Sequence, residues 1–202
     1  MNITALTVNY NTPDFLERLL LSLRKYYDMP FLVVDGSDSR NYEKIKIFTD
    51  KYDVEIHHFD YNIHHGPGMA YGIQYIKTDQ ILLLDSDLIV LHPGFVEDLQ
   101  SKLKPESYGI GDVQIINDKG FNVAKGISYL HPACALINRK VALKYPLPIK
   151  NGAPMIEAMK AVNSELLQHE SWVTNDFRSK DKIYIIHDWM GTVKRVGGYN
   201  LT

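Results

Sequence analysis

The chain has 202 residues, 45% of them apolar and 23% charged, which is enough to bury the core of one domain with room for a small extension. Its formal net charge of -2 argues against the broad basic face of a general nucleic-acid binder. The most apolar runs, residues 81–84 and 88–91, fall far short of the roughly 18 to 20 residues that span a membrane. Cys134 is the single cysteine and the N-terminus lacks the pattern of a signal peptide, so we expect a cytoplasmic protein.

The first half of the chain alternates short strands with helices. Four short segments are predicted to be strands: residues 3–8, 31–34, 54–58 and 81–84. Residues 81–84 do not alternate and are predicted to be fully buried. After Thr12, a candidate N-cap, and Pro13, apolar residues recur at helical spacing: Phe15, Leu16, Leu19, Leu20 and Leu23. Further helices are predicted around residues 45–52, from 66 to 76 and over 94–103. Alternating strands and helices predict a parallel α/β sheet with right-handed connections.

The second half has a weaker pattern, which predicts a mixed sheet. Short strands are expected near residues 108–116 and 130–138. A stretch that contains Pro146, Pro148, Gly152 and Pro154 precedes a predicted helix over 155–167. A final strand over 183–186 delivers His187.

Polar side chains stand where each early strand ends. In an open α/β sheet, ligands bind beyond these carboxyl ends, which here comprise residues 9–11, 35–38, 57–60 and 85–87. An Asp-x-Asp triplet arises about once by chance in a chain with 16 aspartates, so the triplet Asp85-Ser86-Asp87 is weak evidence by itself. Its position between two apolar runs holds both carboxylates at the end of a buried strand, where unpaired negative charge is costly. The pattern therefore favours a site for a divalent cation.

These motifs, in this order, resemble the GT-A glycosyltransferases, specifically the family 2 type that uses nucleotide-sugar donors. The resemblance rests on LTVNYNT, FLVVDGSD and HHGPGMAYGIQYIKTDQILLLDSD, with Gly72 thirteen residues before Asp85, and more loosely on YLHPACALINRK and YIIHDWMGTVKR. It implies a single GT-A domain over 1–202, with a mixed, mostly parallel sheet flanked by helices. Residues 1–100 would form the nucleotide-sugar-binding half. Residues 101–202 would form the acceptor side, with a metal ligand near the C-terminus.

The resemblance also implies roles for individual residues on the donor side. Asn9 and Tyr10 would line the base pocket and Asp35 would bond the base. Asp85 would meet the ribose or sugar, and Mn²⁺ or Mg²⁺ would be held by Asp85, Asp87 and His187. The remaining donor-side residues implied are Gly66, Gly68 and Ser86. At positions where the family often has Arg-Asn, this chain has Met69 and Ala70, and as a separate hypothesis Lys194 or Arg195 would replace the lost positive charge on the donor side.

Several of these residues have a structural alternative. Tyr10 is also interpretable as a rim aromatic, and Asp35 with Ser37 as a turn or helix cap. His187 is also interpretable as a structural histidine. Cys134 lies in an apolar strand and is expected to be inert core. The histidines at 57, 58, 64 and 65 are not expected to ligate one metal, because adjacent residues on a strand face opposite sides.

An inverting transfer needs a carboxylate base for the acceptor hydroxyl, and the sequence offers three. Glu157 is the first choice, because it follows a Pro- and Gly-rich turn at the start of a predicted helix, where such enzymes often carry this base. It is equally interpretable as a first-turn glutamate favoured by the helix dipole. Asp112 and Asp176 are the rivals.

The leading hypothesis is a metal-dependent glycosyltransferase that inverts the anomeric carbon, with a UDP-sugar as the expected donor. The acceptor hydroxyl could belong to a saccharide, a protein or a modified nucleic-acid base. A nucleotidyltransferase acting on sugar phosphates is disfavoured, because no Gly-rich loop with a following Arg or Lys succeeds the first strand. A non-catalytic nucleotide-sugar-binding module is the third alternative.

Overall fold

A computed structural model of the chain describes residues 2–173, 178–179 and 182–188. Its strands and helices, in chain order, are β1 (Ile3–Asn9), α1 (Pro13–Arg24), β2 (Phe31–Asp35), α2 (Ser39–Lys51), β3 (Glu55–His58), α3 (His65–Tyr75), β4 (Gln80–Leu84), β5 (Leu88–Val90), α4 (Phe95–Lys102), β6 (Gly109–Ile116), β7 (Ile127–Asn138), α5 (Arg139–Ala142), α6 (Ile156–Ala161), β8 (Leu167–His169), β9 (Arg178–Ser179), β10 (Lys182–Ile183) and β11 (Ile185–His187). Two short 3₁₀ helices, Ser164–Leu166 and Ser171–Val173, flank β8. None of the described helices is long and apolar enough to cross a membrane.

Seven strands form one mixed sheet in the order β3-β2-β1-β4-β7-β6-β8. The four strands from β3 to β4 run parallel, as the alternating pattern predicts. β7 is antiparallel to both β4 and β6, and β8 is parallel to β6. The predicted sheet, mixed but mostly parallel and flanked by helices, is confirmed.

The core lies on both faces of this sheet. On one face, α1 buries Phe15, Leu16, Leu19, Leu20 and Leu23 against the sheet, together with residues of α2 and α4. On the other, α3 and α6 cover a second apolar cluster. Close packing on this face requires a small residue in α3, because a Cβ at Gly72 would collide with the Leu6 side chain of β1.

One local prediction holds only in part and another differs from the structure. Thr12 is the N-cap residue of α1, as predicted, but its hydroxyl donates to Asn9 Oδ1 over 2.7 Å and makes no cap bond. The helix predicted over 155–167 ends at Ala161, and Leu167 then joins the sheet beside Gly109. Asn163 caps the intervening 3₁₀ turn by accepting from the Glu165 backbone N–H, so a side-chain bond supports the break.

Candidate active site

The carboxyl ends of the first three strands are level with one another. Asn9 is paired in register with Asp35, and Asp35 with His58. These three side chains therefore share one edge of the sheet. Tyr10 follows directly and is partly exposed.

Asp35 is the centre of a buried hydrogen-bond network at this edge. Its Oδ1 accepts from Asn9 Nδ2 over 2.8 Å and from Ser37 Oγ over 2.6 Å. Its Oδ2 faces the Ser37 backbone N–H at 3.2 Å and His58 Nδ1 at 2.8 Å. Asp35 has no exposed surface, and Asn9 and Ser37 are each 1% exposed. This network holds the side chains at this edge of the sheet in place.

A second cluster lies beyond β4 and gathers Asp85, Asp87 and His187. A backbone bond from Asp85 N–H to Ala133 O holds the first carboxylate beside β7. His187 arrives from β11, which pairs antiparallel with β5 so that His187 lies opposite Leu88. Its Nε2 is 2.9 Å from Asp87 Oδ1 and 3.5 Å from Asp85 Oδ2. One ligand atom from each of the three residues lies within 4.8 Å of the others, so the set fits a metal ion.

The electrostatics of His187 reflect its two carboxylate neighbours. Burial alone would lower its pKa, but the hydrogen bond to Asp87 and the charges of Asp85, Asp87 and Asp188 outweigh burial and raise it. Its side chain is only 3% exposed. A cation at this position would compete with the histidine proton for the same two carboxylates.

The start of α3 approaches the acidic cluster from the side. His65 Nε2 lies 3.6 Å from Asp85 Oδ1, and Asn151 accepts from the His65 backbone N–H. A Cβ at Gly66 would meet the backbone of Lys150 at 2.5 Å, and one at Gly68 would meet Val8 at 2.8 Å. Close packing thus requires a residue without a side chain at both positions. The predicted role of the two glycines in binding the nucleotide-sugar donor stays a prediction.

Glu157 lies in the first turn of α6 and is paired with two lysines. Its Oε1 is 3.2 Å from Lys160 Nζ and 3.5 Å from Lys150 Nζ. The bond to Lys160, followed by Lys150, lowers the pKa of this carboxyl. Glu157 is therefore ionised, as a general base must be, although a lowered pKa also weakens it as a base.

The rival base Asp112 lies in β6, where the pairing with β7 shifts register. It is 8% exposed and accepts from Gln114 Nε2. Burial lowers the pKa of the neighbouring His131, while the charges of Asp85 and Asp112 act on it in the opposite direction. The charges of both Asp112 and the acidic cluster thus act on His131.

Three sequence-predicted residues lie outside the described residues: Lys194, Arg195 and Asp176. Of the predicted site residues that are described, Asp85, Asp87 and His187 come together. Ser86 lies between the two aspartates and is buried. The three side chains that the resemblance implies as metal ligands thus lie together, and their role stays a prediction.

A family model described as glycosyl transferase family 2 matches residues 4–162. The chain belongs to glycosyl transferase family 2. No curated protein matches this family 2 chain by sequence.

Solved structures with the same fold bind nucleotides. The mannosyltransferase PcManGT from Pyrobaculum calidifontis, in complex with GDP-Man and Mn²⁺, has a TM-score of 0.60 and 11% identity over 87% of this chain and 58% of its own. TarS 1-349 from S. aureus, in complex with UDP-GlcNAc, has a TM-score of 0.62 and 16% identity over 92% of this chain and 58% of its own.

Glucosyl-3-phosphoglycerate synthase from Mycobacterium tuberculosis, in complex with Mn²⁺, UDP and glucosyl-3-phosphoglycerate, is similar as well. Its TM-score is 0.60, with 14% identity over 83% of this chain and 68% of its own. These identities show the fold alone, which is the GT-A fold that the sequence predicted. The family 2 chain spans about three fifths of the length of PcManGT and of TarS 1-349.

Sequence reasoning missed two residues at the site. His58 falls in the strand-end segment 57–60 and His65 directly precedes the helix predicted from residue 66, but neither has a predicted role of its own. The structure separates them, with His58 on Asp35 and His65 beside Asp85. The available signal was positional, since each stands at the carboxyl-end edge of the predicted sheet.

Proposed function

We propose that this chain transfers a sugar from a nucleotide-sugar donor to an acceptor hydroxyl, with a divalent cation at Asp85, Asp87 and His187. The observation that carries the proposal is the convergence of these three side chains at the sheet edge that also holds the Asp35 network. Membership of glycosyl transferase family 2 supports it. The nucleotide would lie along this edge, with its base near Asn9, Tyr10 and Asp35.

The acidic cluster fits Mn²⁺ or Mg²⁺ chemically. Two carboxylates and one imidazole suit Mn²⁺ well, and the carboxylates alone suit Mg²⁺. When bound, the cation would neutralise negative charge that develops on the leaving diphosphate. His65, next to Asp85, and the start of α3 would face the same diphosphate.

On the acceptor side, we propose Glu157 as the base that takes the hydroxyl proton in an inverting reaction. Its pairing with Lys150 and Lys160 keeps the Glu157 side chain ionised and orients its carboxylate. Asp112 is the alternative base, supported by its burial and by its charge acting on His131, on which Asp85 also acts.

The expected donor is a UDP-sugar. TarS and glucosyl-3-phosphoglycerate synthase bind UDP or a UDP-sugar, whereas PcManGT binds GDP-Man, so both nucleotides belong in a test. A saccharide, a protein or a modified base remains the proposed range of acceptors. We propose the cytoplasm as the compartment, since Cys134 is buried and unpaired, and one domain as the organisation.

A donor screen tests the proposal directly. Thermal unfolding is recorded with UDP-, GDP-, ADP- and CDP-sugars, each with Mn²⁺ and with EDTA, because a ligand that binds the folded state raises its stability. One donor class should shift the unfolding temperature with Mn²⁺ and should be hydrolysed slowly to the nucleoside diphosphate. A shift without any turnover would favour a binding module, and release of pyrophosphate from sugar phosphate and nucleoside triphosphate would favour nucleotidyl transfer. No shift with any donor would contradict the proposal.

A further inference from the structure

A cavity of about 700 Å³ lies at the amino ends of β1, β2 and β3. This is the edge of the sheet opposite the one that carries Asn9, Asp35 and His58. Thr4, which lines the cavity, is separated from Asn9 by about 16 Å of extended strand. The volume falls in the range of roughly 300 to 1,000 Å³ that is usual for small-molecule sites. The cavity is therefore separate from the proposed donor and metal site.

The walls of the cavity are held together by Arg24. Its guanidinium donates to the backbone oxygen of Met29 over 2.6 Å. It also donates to the backbone oxygens of Tyr52 and Asp53, each over 3.3 Å. Arg24 thus joins the segment that enters β2 to the segment that enters β3. A site with walls fixed in this way loses less conformational entropy when a ligand binds.

Tyr75 brings an exposed aromatic ring to the cavity. The residue is 41% exposed and lines the cavity beside Glu55, to which its hydroxyl donates. Its ring meets His57 at a centroid distance of 4.3 Å, and the Tyr71 ring lies parallel to it at 6.1 Å. Three contacts therefore hold the ring in one orientation. An anchored tyrosine offers contact area to a ligand at a low cost in conformational entropy.

Two carboxylates that line the cavity are unpaired. Neither Asp28 nor Asp53 has a side-chain hydrogen bond or ion pair with the described residues, and both are exposed. Asp53 directly follows Tyr52, the C-cap residue of α2, and has a φ of 50°. A left-handed residue at this position is usually Gly or Asn, and the helix dipole disfavours negative charge here. The helix alone therefore gives no reason for a carboxylate at this position.

We propose that this cavity is a second ligand site and that it takes a neutral saccharide of two or three sugar units. A sugar hydroxyl both donates and accepts hydrogen bonds, so it fits the carboxylate acceptors of Asp28 and Asp53. Lys77 Nζ is 3.4 Å from a backbone oxygen of α3, and an ammonium has three donors, so donors remain for the ligand. The apolar face of a sugar ring would pack on Tyr75. The inference goes beyond the proposed function, because the cavity shares no residue with the donor and metal site.

The charges around the cavity favour a neutral ligand over an ion. The carboxylates of Asp28, Asp53 and Glu55 would repel an anion. The positive charges of Arg24 and Lys77 would oppose a cation. A polyol meets neither penalty and uses donors and acceptors together.

Asp53→Asn tests the site without endangering the fold. Asn is preferred at a left-handed helix end and removes the unfavourable charge, so this variant should be at least as stable as wild type. Asp50→Asn is the matched control, since Asp50 is an exposed residue in the last turn of α2 that does not line the cavity. Tyr75→Leu removes the ring, and Tyr61→Leu removes another exposed tyrosine that lies outside the cavity.

The experiment titrates the ¹⁵N-labelled chain with maltotriose, cellotriose, mannotriose and tri-N-acetylchitotriose, with and without UDP and Mg²⁺. Spermidine and inorganic phosphate are the charged comparison ligands. At least one trisaccharide should move the amide resonances at the amino ends of β1, β2 and β3 and at Tyr75, whether or not UDP is present. Its dissociation constant should rise about 3- to 10-fold in Asp53→Asn and in Tyr75→Leu, as expected for one hydrogen bond or one ring contact. Asp50→Asn and Tyr61→Leu should bind it like wild type.

Four results would overturn the inference. They are no response to any of the four trisaccharides, responses confined to the carboxyl-end edge of the sheet, binding of spermidine or phosphate in the cavity in place of a trisaccharide, and equal weakening in the control variants. Each would leave the proposed function standing, because the donor screen does not involve this cavity. A donor screen without any thermal shift would contradict the proposed function and leave the saccharide site standing.

Discussion

At the residue scale, the two aspartates of the triplet have different surroundings. The Asp87 side chain is 9% exposed and bonds His187, whereas that of Asp85 is 23% exposed and lies between His187 and His65. Asp87 is therefore the carboxylate that couples the end of β4 to β11. A charge so enclosed is costly without a cation or a protonated histidine beside it.

We expect Asp87→Asn to weaken Mn²⁺ binding at least 10-fold while the fold is retained. Loss of a residue that only supports a metal ligand already lowers metal affinity by about this factor, and loss of the ligand itself should lower it by at least as much. In wild type, Mn²⁺ at 100 times its dissociation constant should add about 2.7 kcal/mol to the free energy of unfolding. Asp79→Asn is the control, because it removes an exposed carboxylate from the opposite end of β4. Equal Mn²⁺ stabilisation of wild type and Asp87→Asn would remove Asp87 from the ligand set.

Glu157→Gln should lower turnover by about 10²- to 10⁴-fold with donor affinity nearly unchanged, because a general base contributes on that scale and does not hold the donor. Asp112→Asn, assayed in parallel, identifies the alternative base. The product should have the inverted anomeric configuration by NMR. Retained configuration, or a near-normal rate in Glu157→Gln, argues against this assignment.

At the scale of elements, Tyr27 joins the end of α1 to the start of α4. Its hydroxyl accepts from the Gly94 backbone N–H over 2.6 Å and donates to Glu97 over 3.0 Å, and its ring meets Phe95 edge-on. Burial, with Glu97 adding to it, raises the pKa of Tyr27 to about 12. The neutral phenol is thus the form that stabilises the fold.

Tyr27→Phe should lower the free energy of unfolding by about 1 to 3 kcal/mol, because the Gly94 N–H and Glu97 lose their partner. A raised pKa in the folded state means that this stabilisation is complete below pH 10 and is lost as pH rises towards 12. Urea unfolding at several pH values checks both statements. A difference between wild type and Tyr27→Phe that stays constant from pH 8 to pH 12 would contradict them.

At the scale of the whole molecule, one sheet connects both apolar clusters. β1 and β4 contribute side chains to each of its faces, for example Ala5 and Leu6 to opposite clusters. The proposed nucleotide side and acceptor side are joined by the β4–β7 pairing. Neither side has a core that is independent of the sheet.

The chain should therefore unfold in one cooperative step. Tryptophan fluorescence comes from Trp172 and Trp189, both in the second half of the sequence, whereas far-ultraviolet circular dichroism reports on all helices. The two urea transitions should coincide within error. Separate midpoints would show two units and would contradict the proposal of one domain.

The sequence by itself determined the repeating part of the fold. The five buried positions of α1 follow from the 3.6-residue period of a helix. The strands β1, β2 and β4 follow from short continuous apolar runs, which are typical of strands buried on both faces. The acidic triplet could also be located from the sequence, since it directly follows a buried strand. Strand ends and turn residues are local features.

Tertiary structure alone decided which of these features meet. His187 contacts Asp87 across 100 positions because β11 pairs with β5, and no local pattern specifies that pairing. The bond from His58 to Asp35 depends on the register between β2 and β3. The end of a predicted helix forms β8 instead, because Leu167 pairs with Gly109 of β6. Periodicity fixes the face that a residue occupies, whereas its partner depends on strand order and register, which the whole chain sets together.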